Sequence, residues 1–176
     1  SIYPTSSTYE KYASEFKDNI FFNEPGSAIA TVSVNYGRTT YNHTSKTTDS
    51  QKESTRKALL NKEFRQALNF AVDRNSYSAQ TNGTDGAAVA IRNTFSPYDL
   101  QVGDKQFGKL VEESLAKTNS STWSNVSLAD SQNGLYNEEK AKAAFAKAKE
   151  SLKAEGVEFP IHLDALTIQE STAVVN

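Results

Sequence analysis

The sequence contains neither cysteine nor methionine, and it has only two histidines, His43 and His162. Without cysteine there is no disulfide, no thiolate zinc site and no cysteine nucleophile. Two histidines far apart in the sequence do not predict a transition-metal site either. A chain without an initiator methionine is expected to be a mature product or part of a longer protein, and the lack of cysteine suits an exported one.

Strong charge of one sign is also lacking. The formal net charge is -2, and lysine and arginine form no basic tract, so nucleic acid is not an expected partner. No apolar run approaches the roughly 18 to 20 residues that a membrane helix needs. The composition is that of an ordinary globular domain, and the length of 176 residues predicts a single domain spanning 1–176.

Capping residues and apolar spacing predict several helices. Thr48 and Asp49 predict the start of a helix that runs to about Leu60, and Asn61 predicts the cap of the next helix. Asn137 predicts the cap of a long helix that ends at a glycine, Gly156. The spacing predicts an apolar stripe on the second of these helices, formed by Phe64, Ala67, Leu68, Ala71 and Val72. Further helices are predicted around 7–16, 75–80 and 104–117.

Alternating apolar residues predict two strands, one over 28–36 and one over 157–163. The dipeptides Asn82-Gly83 and Asp85-Gly86 predict turns. The polar stretch 118–134 is expected to be a loop anchored by Trp123. Helices that alternate with a few strands predict an α/β domain, with α+β as the alternative.

Chemistry-bearing patterns are few. His162 and Asp164 would share one face of the second strand, either lining a cleft or facing solvent. A hydrolase could use this pair with a serine, but no Gly-x-Ser-x-Gly elbow is present. Glycine-rich dinucleotide or phosphate loops are absent as well. We therefore expect no catalytic residue, metal ligand or cofactor. A hydrolase, and a surface adhesin or structural domain of an exported protein, stay as alternatives.

The stretch from Leu60 to Arg74, LNKEFRQALNFAVDR, resembles the most recognisable helix of the family 5 solute-binding proteins, the peptide-, dipeptide- and nickel-binding receptors of ABC importers. Other segments occur in the order that they have in the family, one before this stretch and the rest after it. Their residues are most similar to those of the oligopeptide-binding lipoproteins of Gram-positive bacteria. These segments are a strand ending in Asn35, the stretches 90–93 and 95–97, the run 129–141, and the strand at 159–163.

The resemblance implies a type II periplasmic-binding-protein-like lobe, with a small mixed sheet flanked by helices. The chain would be an incomplete part of the second lobe of a two-lobed receptor that closes on an extended oligopeptide. The implied partners are the peptide, the remaining lobe and the ABC permease subunits. The implied location is the extracellular face of the membrane, reached only through a lipid anchor outside this segment. A dipeptide, a signalling peptide or a metal chelate stays open as the ligand.

The resemblance also implies which residues contact the ligand. Three end the first predicted strand, one lies in the short helix after Arg74, and three lie in the extended segment before Pro97. The candidates are Ser33, Asn35, Tyr36, Gln80, Arg92, Asn93 and Phe95. The family residues Arg65, Asp73 and Arg74 are expected to hold the fold instead.

Overall fold

The computed structural model describes residues 4–22 and 31–165. The chain forms two compact units, each built from two separate stretches of sequence. Unit 1 consists of residues 1–30 and 73–136, and unit 2 consists of residues 31–72 and 137–176. Helices dominate the described part of both units, and a two-stranded antiparallel sheet belongs to unit 1.

Seven helices and two short strands follow one another along the described part of the chain. The helices are α1 (Ser7–Ala13), α2 (Asp49–Leu60), α3 (Lys62–Ala71), α4 (Arg74–Gly86), α5 (Phe107–Thr118), α6 (Ser120–Trp123) and α7 (Glu138–Ala154). A 3-10 turn at Lys17–Asn19 comes between the first two helices. The strands β1 (Gln101–Val102) and β2 (Lys105–Gln106) come between α4 and α5.

Side-chain caps fix the ends of α2 and α3 where the sequence predicts them. Thr48 Oγ1 accepts a hydrogen bond from the Gln51 amide at 3.1 Å, and Gln51 Oε1 accepts one from the Thr48 amide at 3.3 Å. Asn61 Oδ1 accepts the Phe64 amide at 3.0 Å. Both caps satisfy amides that the first turn of a helix leaves unpaired. The predicted helix starts at Asp49 and after Asn61 are confirmed.

Helix α7 begins and ends as predicted. Asn137 Oδ1 accepts the Lys140 amide at 2.8 Å. At the other end Gly156 has φ +72°, and the Val157 amide donates to the Leu152 carbonyl at 2.9 Å. This left-handed turn reverses the chain so that Val157 packs beside Leu152 in the core.

The core of unit 2 lies where α3 packs against α7, with α2 alongside. Its buried members are Ala58, Phe64, Ala148, Leu152 and Val157. The apolar stripe of α3 departs from the prediction, since Phe70 is buried whereas Ala71 and Val72 are exposed. Val72 has extended backbone angles because the helix has already ended, so the stripe follows Phe64, Ala67 and Phe70 instead.

Neither predicted strand forms within the described residues. Positions 31–36 belong to no helix or strand, and 28–30 lie outside the described residues. Burial alternates as expected from Val157 to Ile161, but Leu163 is 47% exposed, and the segment bonds to a helix rather than to a strand. Ser54 Oγ accepts the Glu158 amide at 2.9 Å, and Thr55 Oγ1 donates to the His162 carbonyl at 2.9 Å. Alternation reports one buried face, and here α2 rather than a neighbouring strand covers it.

In unit 1, α4 runs well beyond the predicted 75–80. Asp73 caps it by accepting the amides of Asn75 and Ser76 at 3.0 and 3.2 Å. The backbone leaves the helical region at Gly83, where φ is +66°, so the predicted Asn82-Gly83 turn survives as a break inside α4. The predicted turn at Asp85-Gly86 is wrong, because both residues continue the helix.

A short hairpin replaces the predicted start of α5. Gln101 pairs with Gln106 and Val102 with Lys105, and the turn between them contains Gly103 at φ +65°. The helix predicted from Asp104 therefore begins at Phe107. The predicted loop 118–134 contains α6, so the prediction is wrong for 120–123. Leu128 is buried, whereas Trp123, the predicted anchor, ends α6 and is only partly buried.

Candidate functional site

The candidate contacts fall into both units, three in unit 2 and four in unit 1. In unit 2, Ser33 and Asn35 are exposed, and Asn35 Oδ1 accepts the Gly37 amide at 3.0 Å. Between residues 31 and 35 no backbone N–H or C=O group bonds to any other residue that the structure describes. Within the described part of the chain, this segment therefore has main-chain donors and acceptors without a partner.

The Tyr36 ring packs against the guanidinium group of Arg65. The guanidinium carbon of Arg65 lies 5.5 Å from the centre of the Tyr36 ring, which stays 43% exposed. Arg65 Nη1 also donates to the carbonyls of Leu59 and Leu60, both at 2.8 Å, and so caps the C-terminus of α2. The fold-holding role expected of Arg65 is confirmed, and the same side chain supports Tyr36.

In unit 1, Arg92 and Asn93 join their own segment to the loop around Asp130. Arg92 Nη1 lies 2.6 Å from Asp130 Oδ2, in an ion pair that is mostly buried. Asn93 Nδ2 donates to the carbonyls of Ala129 and Gln132 at 2.9 and 2.8 Å. Each side chain thus has a structural partner within unit 1.

The segment that these bonds hold in place leaves the Phe95 side chain exposed to solvent. Phe95 is 80% exposed, whereas its neighbour Thr94 is buried and donates to the Ser96 carbonyl at 2.6 Å. Asp130 Oδ2 also accepts the Tyr98 amide at 3.0 Å, which fixes the chain beyond Pro97. A phenyl ring held in solvent by an ordered loop offers an apolar contact to a ligand.

Gln80 lies on the exposed side of α4, and the start of that helix is tied to the same loop. Asn133 Nδ2 donates to Asp73 Oδ1 at 2.7 Å, and the Arg74 amide donates to Asn133 Oδ1 at 3.3 Å. Hydrogen bonds from the Ser76 side chain and amide, with that of Asn133, lower the pKa of Asp73. The expected fold-holding role of Asp73 is confirmed.

The Asp164 carboxylate accepts five hydrogen bonds from described residues, although sequence spacing relates Asp164 only to His162. Oδ1 accepts the amide and the hydroxyl of Ser45, each at 3.0 Å. Oδ2 accepts Thr44 Oγ1 at 2.7 Å, Lys46 Nζ at 2.6 Å and Arg38 Nη1 at 2.5 Å. All four donor residues come from the polar loop after Gly37.

Asp164 stays ionised in this environment. Burial alone would raise the pKa of its carboxyl group. The hydrogen bonds from Lys46, Ser45, Thr44 and Arg38 together outweigh burial and hold the pKa well below its usual range. The only sequence hint of this cluster is that Arg38 and Lys46 flank an otherwise uncharged loop.

His162 faces a different residue. Its Nε2 atom lies 3.5 Å from Gln51 Nε2, and its carbonyl accepts the Thr55 hydroxyl. The His–Asp pair that a hydrolase would need is therefore not formed by His162 and Asp164. Within 4–22 and 31–165 no cluster of three or more His, Asp or Glu residues could hold a metal ion.

A depression of about 380 Å³ lies beside the hairpin of unit 1. Every side chain that lines it is polar or charged, and Lys105 pairs there with Glu113 at 3.0 Å. None of the seven candidate contacts borders it.

Of the helices that the structure describes, none combines the length and the apolar character required to cross a bilayer.

No protein-family model matches the chain. Curated relatives do match, over nearly all of it. The oligopeptide-binding protein AmiA of Streptococcus pneumoniae is 58% identical over 97% of the chain, and SarA of Streptococcus gordonii is 52% identical over 98%. AliA of Streptococcus pneumoniae, also named an oligopeptide-binding protein, is 50% identical over 99% of the chain. The chain spans 26% of the length of each of these relatives.

Proposed function

This chain is a homologue of a segment of the streptococcal oligopeptide-binding proteins, and on that premise we propose that it is part of the substrate-binding component of an ABC peptide importer. The observation that carries the proposal is 58% identity, across 97% of the chain, to a relative named an oligopeptide-binding protein. Because the chain spans about a quarter of that relative, the ligand, the partners and the location of the whole protein are part of the proposal.

The proposed architecture is a two-lobed receptor in which this chain supplies part of the second, type II lobe. Both compact units would belong to that one lobe, and the rest of the receptor would supply the other lobe. An extended oligopeptide would bind in the cleft between the lobes, which close about a hinge. The proposed location is the extracellular face of the membrane, with a lipid anchor elsewhere in the protein and the permease subunits as partners.

The proposed chemistry is recognition of a peptide main chain. No backbone group of residues 31–35 bonds to another described residue, and an extended peptide can bond to such groups as an added strand would. Ser33 and Asn35 lie in this segment, and Tyr36 follows it. Main-chain bonding gives affinity with little dependence on ligand sequence, which suits a receptor for many oligopeptides.

The remaining candidates would contact ligand side chains. Phe95 presents an exposed ring, and Gln80 presents an amide on α4. Arg92 and Asn93 would act mainly by holding the loop that carries Phe95, since they bond to Asp130 and to the Ala129 carbonyl. This is binding without catalysis, in keeping with the relatives' names, and Asp164 is already committed to four donor residues rather than to His162.

The test is titration calorimetry on the full-length protein that contains this segment. A mixed pool of short peptides is titrated, with the same amino acids in free form as the matched control. We expect heat of binding from the peptides and none from the free amino acids. Silence with every peptide would contradict the proposal, and equal heat with free amino acids would replace the oligopeptide ligand by a smaller one.

A further inference from the structure

The loop from Arg38 to Lys46 forms a cradle around one carboxylate of its own chain. The cradle supplies two cations, two hydroxyls and one backbone amide to Asp164. The side chains of Lys46 and Asp164 are 2% and 7% exposed. A buried ammonium without its carboxylate is strongly unfavourable, so the loop depends on Asp164 for this conformation.

Arg38 connects the Asp164 carboxylate to the backbone of the loop. While Nη1 holds Asp164, Nε donates to the Thr40 carbonyl at 2.9 Å and Nη2 to the Asn42 carbonyl at 3.2 Å. The guanidinium also lies over the Tyr41 ring, 4.7 Å from its centre. The planar group therefore has partners on each of its nitrogens, and its position fixes the backbone that it bonds.

Arg38 stands two positions after Tyr36, just beyond the segment 31–35. Tyr36 is supported by Arg65 and the next residues by the cradle, whereas the backbone of residues 31–35 bonds to no other described residue. Among the residues that the structure describes, those that anchor the segment therefore lie on its C-terminal side. Any change in the cradle alters the place from which residues 33–36 extend.

We propose that Asp164 is a positioning residue for ligand binding, because its carboxylate fixes the Arg38–Lys46 cradle and thereby the contact segment 33–36. It touches no ligand itself and acts through Arg38. The inference rests on the proposed function in one respect only, that residues 33–36 contact the peptide. The effect on the segment's own order is independent of that function.

The experiment compares three variants of the full-length protein with the wild type. Asp164→Asn removes the negative charge, and Arg38→Lys keeps the positive charge but loses the grip on the two carbonyls. Asp49→Asn is the matched control, since it removes a carboxylate whose side chain is 97% exposed. Peptide affinity is measured by calorimetry well below the melting temperature. Hydrogen exchange of the Gly37 amide, which bonds to Asn35 Oδ1 at 3.0 Å, is followed at the same temperature.

We expect Asp164→Asn and Arg38→Lys each to weaken peptide affinity about tenfold or more, the loss typical of a hydrogen bond to a charged group. Both should speed exchange of the Gly37 amide by loosening its bond to Asn35 Oδ1, and Asp49→Asn should change neither affinity nor exchange. A lower melting temperature with unchanged affinity and exchange would mean a purely structural carboxylate and would overturn the proposal. The Arg38 variant decides the question if Asp164→Asn does not fold.

Failure of the two proposals can be told apart. If the wild type binds peptides and Asp164→Asn binds them equally well, the positioning role is excluded and the proposed function stands. If the wild type binds no peptide, the proposed function fails and hydrogen exchange decides alone. Equal exchange of the Gly37 amide in the variant and the wild type would then overturn the positioning role as well.

Discussion

Lys46 Nζ lies 2.6 Å from Asp164 Oδ2, in an ion pair whose partners are almost entirely removed from solvent. Buried ion pairs add little stability compared with a well-packed apolar pair. Removal of one partner, however, leaves the other charge buried and uncompensated, which is strongly destabilising. The two residues stand 118 positions apart in the sequence. Their contact closes the polar loop of unit 2 against the segment that follows α7.

The acid sensitivity of unfolding is expected to change in Asp164→Asn. The folded state lowers the pKa of Asp164 below the unfolded value of about 3.9. Its stabilising effect is therefore fully present above about pH 4 and is lost as the pH falls further toward the folded pKa. Denaturant unfolding from about pH 5 to pH 2 should show a flatter decline in the variant. An equally steep decline in both proteins would exclude Asp164 as a source of acid sensitivity.

Formate is expected to restore part of the stability lost in Asp164→Gly. The cradle still offers two cations and three neutral donors, and formate has the size of the missing carboxylate. The melting temperature of the variant should rise with formate more than with chloride at equal ionic strength, while the wild type responds equally to both. Identical responses of the variant to the two anions would show that the cradle collapses without Asp164.

Leu152→Ala is expected to lower the free energy of unfolding by about 3 kcal/mol. Leu152 lies on α7, and its side chain is fully buried in the core that α7 forms with α2 and α3. Leu60→Ala is the matched control within the same unit, since Leu60 is 48% exposed. Its cost should stay below about 1 kcal/mol. Chemical denaturation measures both, and equal losses would place the core of unit 2 elsewhere.

Gly156→Ala is expected to cost about 1 kcal/mol through backbone conformation alone. Gly156 has φ +72°, and an added Cβ would meet no atom within 4 Å. Gly37→Ala is the control, because Gly37 has the same open surroundings without a left-handed φ. Thermal unfolding should separate the two variants, and Gly156→Asn should fall between them, since asparagine tolerates this conformation better.

Phe95→Ala is expected to weaken peptide binding by the full-length protein and to leave the melting temperature unchanged. The ring is 80% exposed and so contributes little to stability. Phe70→Ala, at a ring that is 2% exposed, should instead cost about 4 kcal/mol. Calorimetry and thermal unfolding distinguish the two effects. Unchanged affinity in Phe95→Ala would remove that residue from the ligand site.

Helix ends were predictable because a cap is a local interaction. Thr48, Asn61 and Asn137 each bond to an amide three residues later, a distance that sequence spacing displays directly. The glycine that ends α7 is equally local, since its left-handed angle serves the turn beside it. The starts of α2 and α3 and both ends of α7 therefore followed from short-range patterns, whereas α6 and the length of α4 did not.

The strands and the hairpin were not predictable in the same way. A strand needs a partner, and the alternation at 157–163 cannot specify whether a strand or a helix covers the buried face. The turn at Gly103 has only two residues, and the residues around it are compatible with an earlier start of α5. Both errors arose where a local pattern was compatible with two kinds of neighbour.

The candidate site was predictable only in part. Exposure of Ser33, Asn35 and Phe95 agrees with a contact role, but the resemblance indicated these residues rather than any chemical pattern. The Asp164 cradle was missed because Arg38 lies 126 positions away. Nothing in the spacing of the sequence relates two charges so far apart.

The division of unit 2 into two stretches has a consequence for synthesis. Helices α2 and α3 leave the ribosome first, and their buried faces await α7, which follows only after residues 73–136. That intervening stretch belongs to unit 1 and is complete before α7 emerges. The apolar face of α3, with Phe64 and Phe70, is thus uncovered throughout this interval, when a nascent chain is most open to chaperones and to aggregation.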